Sequence, residues 1–414
     1  MRESVIHWVL LDSSARLGPT MSTPWLPQFL FAVCQCRAEH ALKNEIAAGS
    51  LSARPAFSRP GFVTFKLDAP CERPDQFQLL STFARTYGFC LGKVQGELLS
   101  ELVMQLWKLP AVLEFVAARP ISDLHVWQRD TAVPGAHGFE PGPTALAVKI
   151  EEAVRQHAPL ESLRMLPVAP RRPTQRNRWV LDLALVEPGE WWVGCHRTTR
   201  RLQCYPGGVR KLELPPHAVS RAYLKMQEAL HWSALPTQQG DVCVELGCAP
   251  GGASQALLDA GLQVVGVDPA AVDPEVETHP RFLHVRRRTR ELPHRQLRGA
   301  RWLTADMNVA PAYTLDAVEE IVMNGESSIR GILLTLKLAD LRLADKLPEF
   351  VARVKSWGYQ DVRTRQLAFN RQELCLVALR SRGQRRMFRK PRRRSRHDVT
   401  HASRPPAPHF PSQM

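Results

Sequence analysis

The sequence predicts an α/β protein whose C-terminal half is a doubly wound sheet, and three observations support this fold class. A glycine-rich turn, Glu245–Gly252, joins the apolar run VCVEL to a helix-like segment. Further strand candidates (QVVGV, FLHV, RWLTA, GILLTL, DVRTRQL and ELCLVAL) alternate with helical stretches, as in a mostly parallel sheet with helices on both faces. Only the segment AFNRQ separates the last two candidates, so the seventh and final strand is predicted to run antiparallel at the edge.

The glycine-rich turn, ELGCAPGG, predicts a nucleoside cofactor site. Closely spaced glycines let the backbone approach a ligand, and Pro250 fixes the bend into the next helix. The next apolar run ends on Asp268, an acid placed to accept hydrogen bonds from the two hydroxyls of a ribose. The spacing fits neither G-x-G-x-x-G nor a phosphate loop that ends in G-K-[ST], which favours S-adenosylmethionine, a cofactor without a diphosphate. Tight packing of a strand on a helix is the alternative interpretation of the turn.

Composition and charge favour a polyanionic partner. The 414 residues are 44% hydrophobic, which is enough for two or three packed domains. The formal net charge of +15 favours nucleic acid first and an anionic membrane surface second. Part of this charge is local, because Arg380–Arg396 is almost all basic or small. This segment is predicted to be a disordered arm, either a solvated tail or an RNA contact.

The remaining patterns predict a cytoplasmic protein without a metal site or a membrane segment. The nine cysteines include no C-x-x-C pair, which argues for reduced thiols. His397 and His401 are spaced for one helix face but lie in the basic tail, so we interpret them as solvated side chains. The apolar stretch Val5–Leu11 is too short to span a bilayer, and no small-residue cleavage site follows it.

The chain is predicted to contain five segments. Strand candidates FLFAVCQC and GFVTFKL define a first α/β domain, and a helix-like run followed by RWVLDLALV and EWWVGCHR defines a second region. The segments are a disordered extension at 1–22, an N-terminal α/β domain at 23–110, a second α/β region at 111–204, the doubly wound domain at 205–380, and a basic disordered tail at 381–414.

Four polar residues mark the expected ligand edge of the C-terminal sheet. Asp306 follows one strand candidate, and Lys337 follows the next. Glu373 opens the last strand, and Lys225 lies on the helix-like segment before the glycine-rich turn. Open α/β sheets bind ligands beyond the carboxyl ends of their strands, so these side chains are expected to meet. Each alone is more often a solvated end or a cap, but their order and contexts resemble the K-D-K-E tetrad of FtsJ-like ribose methyltransferases.

The resemblance extends over a larger part of the chain. The stretch CYPGGVRKLELPPHAVSRAYLKMQEAL, the loop ELGCAPGG, the segments ADMN and LTLKLAD, and the N-terminal FLFAVCQCRAEHALKNEI are similar to the bacterial ribosomal RNA large-subunit methyltransferase M family. The match is firm over about Pro206–Leu379 and loose before that. It implies a Rossmann-like, class I S-adenosylmethionine-dependent methyltransferase domain, preceded by an RNA-binding region with a THUMP domain at 111–204. It also implies methylation of the 2′-hydroxyl of one cytidine in large-subunit (23S) ribosomal RNA.

The resemblance implies specific roles for the candidate residues. The expected catalytic residues are Lys225, Asp306, Lys337 and Glu373. Lys337 is expected to act as the base or orienting group, because desolvation and the nearby Lys225 would lower its pKa. Asp306 is expected to hold Lys337, and Glu373 to hold the other lysine or the ribose. The expected cofactor-binding residues are Glu245, Gly247, Ala249, Pro250, Gly251, Gly252, Asp268 and Asp306.

Two departures from the family pattern keep alternatives open. Ala253 stands where an aromatic residue is usual, and Arg286–Arg288 stand where related enzymes carry an acid that meets the adenine edge. Arginine cannot accept that hydrogen bond, so this run faces either RNA phosphates or solvent. The first alternative is therefore a non-catalytic RNA-binding protein on a methyltransferase scaffold. The second is 2′-O-methylation of another RNA, such as transfer RNA. No oligomeric state is predicted.

Overall fold

The computed structural model describes residues 25–166, 173–292, 294–324, 328–338 and 340–380. The predicted extension at 1–22, with its apolar stretch, and the basic tail at 381–414, with His397 and His401, lie outside these residues. Within the described ranges, no helix has the length and apolarity needed to cross a membrane. All nine cysteines are described and are free thiols.

The N-terminal half forms a seven-stranded sheet with helices. Its strands are β1 (Phe29–Val33), β2 (Ala53–Arg59), β3 (Phe62–Leu67), β4 (Thr86–Gln95), β5 (Ile121–Gln128), β6 (Trp179–Glu187) and β7 (Glu190–Arg197). Its helices are α1 (Glu39–Ala48), α2 (Leu99–Leu106), α3 (Pro110–Ala118), α4 (Ala145–Gln156) and α5 (Glu161–Arg164). The strand order is β2-β3-β1-β4-β7-β6-β5, and every pair is antiparallel except β5 and β6.

This sheet joins the two regions that the sequence separates at residue 110. Strand β4 from the first region pairs along its length with β7 from the second, with Phe89 opposite Cys195 and Gln95 opposite Glu190. One buried apolar cluster also contains residues of both regions, including Phe65 and Leu181. The predicted boundary therefore falls within a continuous sheet.

Strands β2 and β4 are absent from the sequence prediction, and glycine and proline explain why. Strand β2 contains Pro55, which lies at a register shift on the sheet edge, where proline is tolerated. Strand β4 contains Gly88 and Gly92. A Cβ at Gly88 would lie 2.5 Å from the carbonyl oxygen of Cys195, so the tertiary packing requires glycine within this strand.

The C-terminal half contains a second seven-stranded sheet. Its strands are β8 (Val242–Leu246), β9 (Gln263–Val267), β10 (Phe282–Val285), β11 (Ala300–Ala305), β12 (Gly331–Lys337), β13 (Asp361–Arg365) and β14 (Glu373–Leu379). Its helices are α6 (Ala222–Ser233), α7 (Gly252–Asp259), α8 (Pro274–Glu277), α9 (Pro311–Val322) and α10 (Leu347–Ser356). The order is β10-β9-β8-β11-β12-β14-β13, so the chain direction across the sheet switches at β8. This confirms the Rossmann-like doubly wound fold, and ligands bind such sheets at the switch point.

The placement of the last strand corrects the sequence prediction. Strand β14 is antiparallel, as predicted, but it lies between β12 and β13 rather than at the edge. Every residue of β14 is buried, whereas three of the five residues of β13 are partly exposed. A continuous apolar run such as ELCLVAL is typical of an internal strand, and the polar DVRTR is typical of an edge strand.

The N-terminal sheet packs against the end of the C-terminal sheet that carries the predicted site. The backbone N–H of Gln366 donates to the carbonyl of Thr82 at 2.8 Å, and the hydroxyls of Thr82 and Thr364 lie 2.9 Å apart. Leu338 and Leu374, each next to a tetrad residue, belong to the buried cluster of the N-terminal half. The two halves therefore share a packed boundary beside the tetrad.

Candidate active site

The glycine-rich turn connects β8 to α7 at the switch point. Gly247 has a φ of +79°, and a Cβ there would lie 2.9 Å from Cγ of Met307. Gly251 has a φ of +122°, and a Cβ there would lie 2.7 Å from Cγ2 of Val276. Both positions therefore require glycine. The peptide bond before Pro250 is cis, and α7 begins at Gly252.

Glu245 is a fully buried acid at the end of β8. Its Oε2 accepts a hydrogen bond from Oγ of Ser254 at 2.5 Å, while Oε1 has no partner among the described residues. Burial raises the pKa of Glu245 to about 8; the Ser254 bond opposes this rise, and the charges of Asp306 and Asp268 add to it. The free Oε1 can accept a hydrogen bond from a cationic ligand group. Such a ligand would favour the ionised form of the Glu245 carboxylate.

This pKa predicts a pH-dependent stability that Glu245→Gln should remove. Because the folded pKa of about 8 exceeds the ordinary value of 4.5, the unfolded chain releases the proton first, and stability falls as pH rises from 4.5 to 8. Urea denaturation without ligand should show a loss of stability on the order of 5 kcal/mol across this window, and Glu245→Gln should reduce that loss. The exposed Glu349→Gln is the control. Equal pH slopes for all three proteins would contradict the assignment.

Asp268 links the loop after β9 to the glycine-rich turn. Its Oδ2 accepts the backbone N–H of Ala249 at 3.2 Å, and its Oδ1 accepts that of Ala270 at 2.8 Å. Each carboxylate oxygen keeps a second lone pair for a ligand. The predicted contact of Asp268 with ribose hydroxyls is compatible with these bonds and remains a prediction.

The four tetrad residues come together in one ion-pair network. Nζ of Lys337 lies 2.5 Å from Oε2 of Glu373 and 3.1 Å from Oδ1 of Asp306. Oε1 of Glu373 forms an ion pair with Nζ of Lys225. The fold explains this meeting, because Lys337 and Glu373 are directly opposite each other in the β12–β14 pair. Asp306 follows β11, the other neighbour of β12, and its N–H donates to the carbonyl of Leu246 at 3.1 Å.

The electrostatics of the network correct one sequence-based expectation. Burial raises the pKa of Glu373, but Lys225 and Lys337 outweigh it and lower the pKa to about 2. Burial lowers the pKa of Lys337, but Asp306 and Glu373 outweigh it and raise the pKa. The expected lowering of this pKa by Lys225 is therefore wrong, because the Glu373 carboxylate contacts both lysines. In this arrangement, Lys337 is a cation.

Glu228 supports the network and is absent from the sequence prediction. It lies three residues after Lys225 on α6 and is buried. Its two oxygens accept the backbone N–H groups of Ala368 and Phe369, each at 2.9 Å. These bonds fix the loop that leads into β14 and so position Glu373. The sequence gives only a weak signal for Glu228, because its spacing from Lys225 on the helix does not distinguish a buried carboxylate from a surface one.

The two positions that depart from the family pattern lie at the same edge of the sheet. Ala253 is buried and lines a small cavity together with Lys225 and Asp306. Arg286–Arg288 follow β10 and are all exposed. Ala253 therefore leaves space beside the tetrad, and the arginine run lies on the surface, where Nε of Arg286 donates to the carbonyl of Pro269 at 3.4 Å.

A second cluster of potential ligand side chains lies in the N-terminal half. His125, Asp182 and His196 are all buried and could hold a metal ion by their spacing. However, Nδ1 of His196 lies 2.6 Å from Oδ2 of Asp182, and its Nε2 lies 2.9 Å from the carbonyl oxygen of Gln203. Both ring nitrogens of His196 are thus engaged within the protein, as in a structural His–Asp pair.

The site and its fold agree with a known family. Residues 218–369 match the FtsJ-like methyltransferase family. This part of the chain is therefore similar to FtsJ-like methyltransferase domains. The match includes Lys225, Asp306 and Lys337 and ends shortly before Glu373, which completes the network in the structure.

Several curated relatives of the chain share one name. The chain is 28% identical to ribosomal RNA large subunit methyltransferase M of Halorhodospira halophila, over 42% of this chain and 51% of that protein. It is 32% identical to the protein of that name in Alkalilimnicola ehrlichii, over 42% and 50%. For Musicola paradisiaca the identity is 25%, over 48% and 57%. The chain thus spans about half the length of the curated relatives it matches.

Proposed function

We propose that this protein is an S-adenosylmethionine-dependent RNA methyltransferase that acts on a ribose 2′-hydroxyl of large-subunit ribosomal RNA. The observation that carries the proposal is the Lys225–Glu373–Lys337–Asp306 network at the ligand edge of an FtsJ-like domain. The network has the residue types needed to orient a hydroxyl and stabilise charge on its oxygen, without a metal.

The residues around the switch point fit the cofactor. Gly247 and Gly251 open the turn, Asp268 has lone pairs left for ribose hydroxyls, and Glu245 Oε1 is a free buried acceptor for an ammonium group. Ala249, Pro250, Gly252 and the backbone of Asp306 complete the proposed site. When bound, the cofactor supplies a methyl group already activated by its sulfonium charge.

The tetrad residues have distinct proposed roles. Lys337, held as a cation, donates a hydrogen bond to the ribose oxygen and stabilises the negative charge that develops on it. Glu373 fixes the positions of both lysines, and Lys225 adds a second positive charge. Asp306 pairs with one lysine where Glu373 pairs with two, so it keeps the capacity to accept the proton that the hydroxyl loses.

The proposal that the substrate is large-subunit ribosomal RNA rests on the net charge of the protein and on the names of the relatives it matches. The net charge of +15 suits a polyanion, and the names of the matched relatives favour large-subunit RNA. The N-terminal sheet, which packs beside the tetrad, is the proposed RNA-binding region and includes the THUMP-like segment 111–204. We further propose that the nucleotide is a cytidine of 23S RNA and that the reaction takes place in the cytoplasm.

Methyl acceptance by separate RNAs tests this choice. Unmodified large-subunit RNA, small-subunit RNA and transfer RNA, all transcribed in vitro, are incubated with the protein and labelled S-adenosylmethionine. Label should enter the large-subunit RNA at least about tenfold faster than either competitor, a preference of about 1.4 kcal/mol in transition-state free energy. Preferred labelling of transfer RNA would support the second alternative. RNA binding without any affinity for S-adenosylmethionine would support the scaffold alternative.

A further inference from the structure

A large basic groove lies between the N-terminal sheet and the edge of the C-terminal sheet. Its volume is about 760 Å³, and its walls include Leu80–Thr82, Arg200–Leu202, Trp232–Leu235 and Val362–Arg365. The charged side chains of its lining are five arginines and one carboxylate: Arg176, Arg200, Arg201, Arg363, Arg365 and Glu45. The groove is therefore strongly positive and is formed by both halves of the chain.

The single carboxylate of the groove is already engaged. Glu45 accepts hydrogen bonds from the hydroxyl of Ser81 and from the backbone N–H of Thr82, the latter at 2.6 Å. Within the described residues, Glu45 forms no ion pair with any arginine of the groove. Of the five arginines, Arg363 forms an ion pair with Asp361 at 3.6 Å, and the other four form none among the described residues, so the groove keeps a net positive charge.

Arg365 is the clearest example of a groove arginine without a carboxylate partner. Its side chain is buried, with only 5% of the residue exposed, and its Nε has no hydrogen-bond partner among the described residues. Its Nη2 donates to the carbonyl of Arg85, but no described carboxylate lies within ion-pair distance. Burial lowers the pKa of Arg365 to about 10; Glu228 opposes this, and the charges of Arg200 and Arg85 lower it further. A buried cation with an open donor favours an anion beside it.

The groove also contains an aromatic surface. Trp232 is half-buried on the wall, and the guanidinium of Arg363 lies 5.5 Å from its ring centroid. Leu80, which also lines the groove, is 80% exposed. Grooves that bind single-stranded nucleic acid combine cations along the backbone with aromatic rings on which bases stack. A duplex keeps its bases paired and offers no free base to Trp232.

The groove begins close to the tetrad. Helix α6 carries Lys225 near its start and Trp232 near its end, about 10 Å further along the axis at 1.5 Å per residue. Arg365 pairs with Cys375, two residues after Glu373. A strand of RNA whose ribose reaches the tetrad therefore has neighbouring nucleotides within reach of the groove.

We propose that this groove binds the phosphodiester backbone of a single-stranded segment of the substrate RNA, with Arg176, Arg200 and Arg365 as phosphate contacts and Trp232 as a base-stacking surface. The identity of the ligand as substrate RNA rests on the proposed function.

Replacement of Arg200 tests the groove in the full chain. Its guanidinium forms no ion pair among the described residues, so Arg200→Gln removes charge with little structural cost. The dissociation constant for unmodified large-subunit RNA should rise about tenfold, and the slope of log K against log salt should fall by about 0.7, the single-strand value for one phosphate. Arg200→Lys should retain most of the affinity. The matched control is Arg330→Gln, which replaces an exposed arginine immediately before β12.

Two results would overturn the proposal. One is an affinity and salt slope for Arg200→Gln equal to those of Arg330→Gln. The other is an equal loss of affinity for a fully paired RNA duplex and for a single strand of the same length. These binding assays need no turnover, so they are separable from the proposed function. Methylation without an Arg200 effect would refute the groove alone, and Arg200-dependent binding without methylation would refute the proposed function alone.

Discussion

Replacing Lys337 with alanine is expected to lower kcat for methyl transfer by about 10²- to 10⁴-fold, the range typical of a group that assists proton transfer or charge development. The lysine is held by Asp306 and Glu373 at the carboxyl end of β12, so its ammonium has a fixed position. Alanine removes both the donor and the charge. Single-turnover transfer of labelled methyl to RNA measures the effect on the chemical step.

Controls separate this effect from misfolding and from loss of cofactor. The dissociation constant for S-adenosylmethionine should stay within about threefold of the original, because Lys337 is not among the proposed cofactor contacts. Lys355→Ala, which removes an exposed lysine of α10, should retain full activity. Activity of Lys337→Ala above about one tenth of the original would refute the assigned role.

The pH dependence of the methyl-transfer rate of the wild-type protein tests whether Lys337 acts as a cation. Because the pKa of Lys337 is raised, a mechanism that needs its neutral form would accelerate steadily as pH rises through the alkaline range. A cationic role predicts a rate that is level between about pH 7 and pH 9. This profile decides between the orienting and the general-base roles of the lysine.

Replacing Glu373 with glutamine is expected to impair both stability and activity. The carboxylate is 2% exposed and contacts both lysines, so its neutralisation leaves two cations without their shared partner. Loss of one member of a buried ion-pair network typically costs about 3 to 5 kcal/mol of unfolding free energy. We expect kcat to fall at least about 100-fold, since both lysines lose their positions. Urea denaturation and single-turnover kinetics measure the two effects.

The effect of Glu373→Gln on the free energy of unfolding should depend on pH in a defined direction. The folded pKa of Glu373 is lowered to about 2 from 4.5, so its stabilising contribution is complete above pH 4.5 and is lost as pH falls toward 2. The stability difference between the original protein and the variant should therefore be constant from about pH 5 to pH 8 and should shrink below pH 4.5. A difference that is undiminished near pH 3 would contradict the network assignment. The exposed Glu349→Gln should show no such difference.

The C-terminal sheet was predictable because all of its strands except the polar β13 are short, mainly apolar runs with helical or turn residues on either side. All seven predicted strands are present, but the edge placement of β14 was wrong. A hairpin specifies only that two strands are neighbours, and the burial of β14 against β12 is a tertiary property. In the N-terminal sheet, Pro55 and Gly88 interrupt the strand pattern, so β2 and β4 were missed.

Asp306, Lys337 and Glu373 were predictable from strand ends and Lys225 from the resemblance to the K-D-K-E pattern, whereas the charge state of Lys337 was not. The pKa of Lys337 depends on which carboxylates contact it, and that depends on the register that places it opposite Glu373. The roles of Glu228 and of the arginine groove likewise depend on tertiary contacts that the sequence does not reveal. Arg176 and Arg365 are far apart in the chain and meet only through the packing of the two halves.

The position of the transferred methyl group tests the central claim most directly. Large-subunit RNA labelled by the protein is digested to nucleosides, and mass spectrometry determines whether the added methyl is on the ribose or on the base. We predict a 2′-O-methylated nucleoside whose formation is lost with Lys337→Ala. A methyl group on a base, or equal ribose methylation by the variant, would contradict the account of the tetrad.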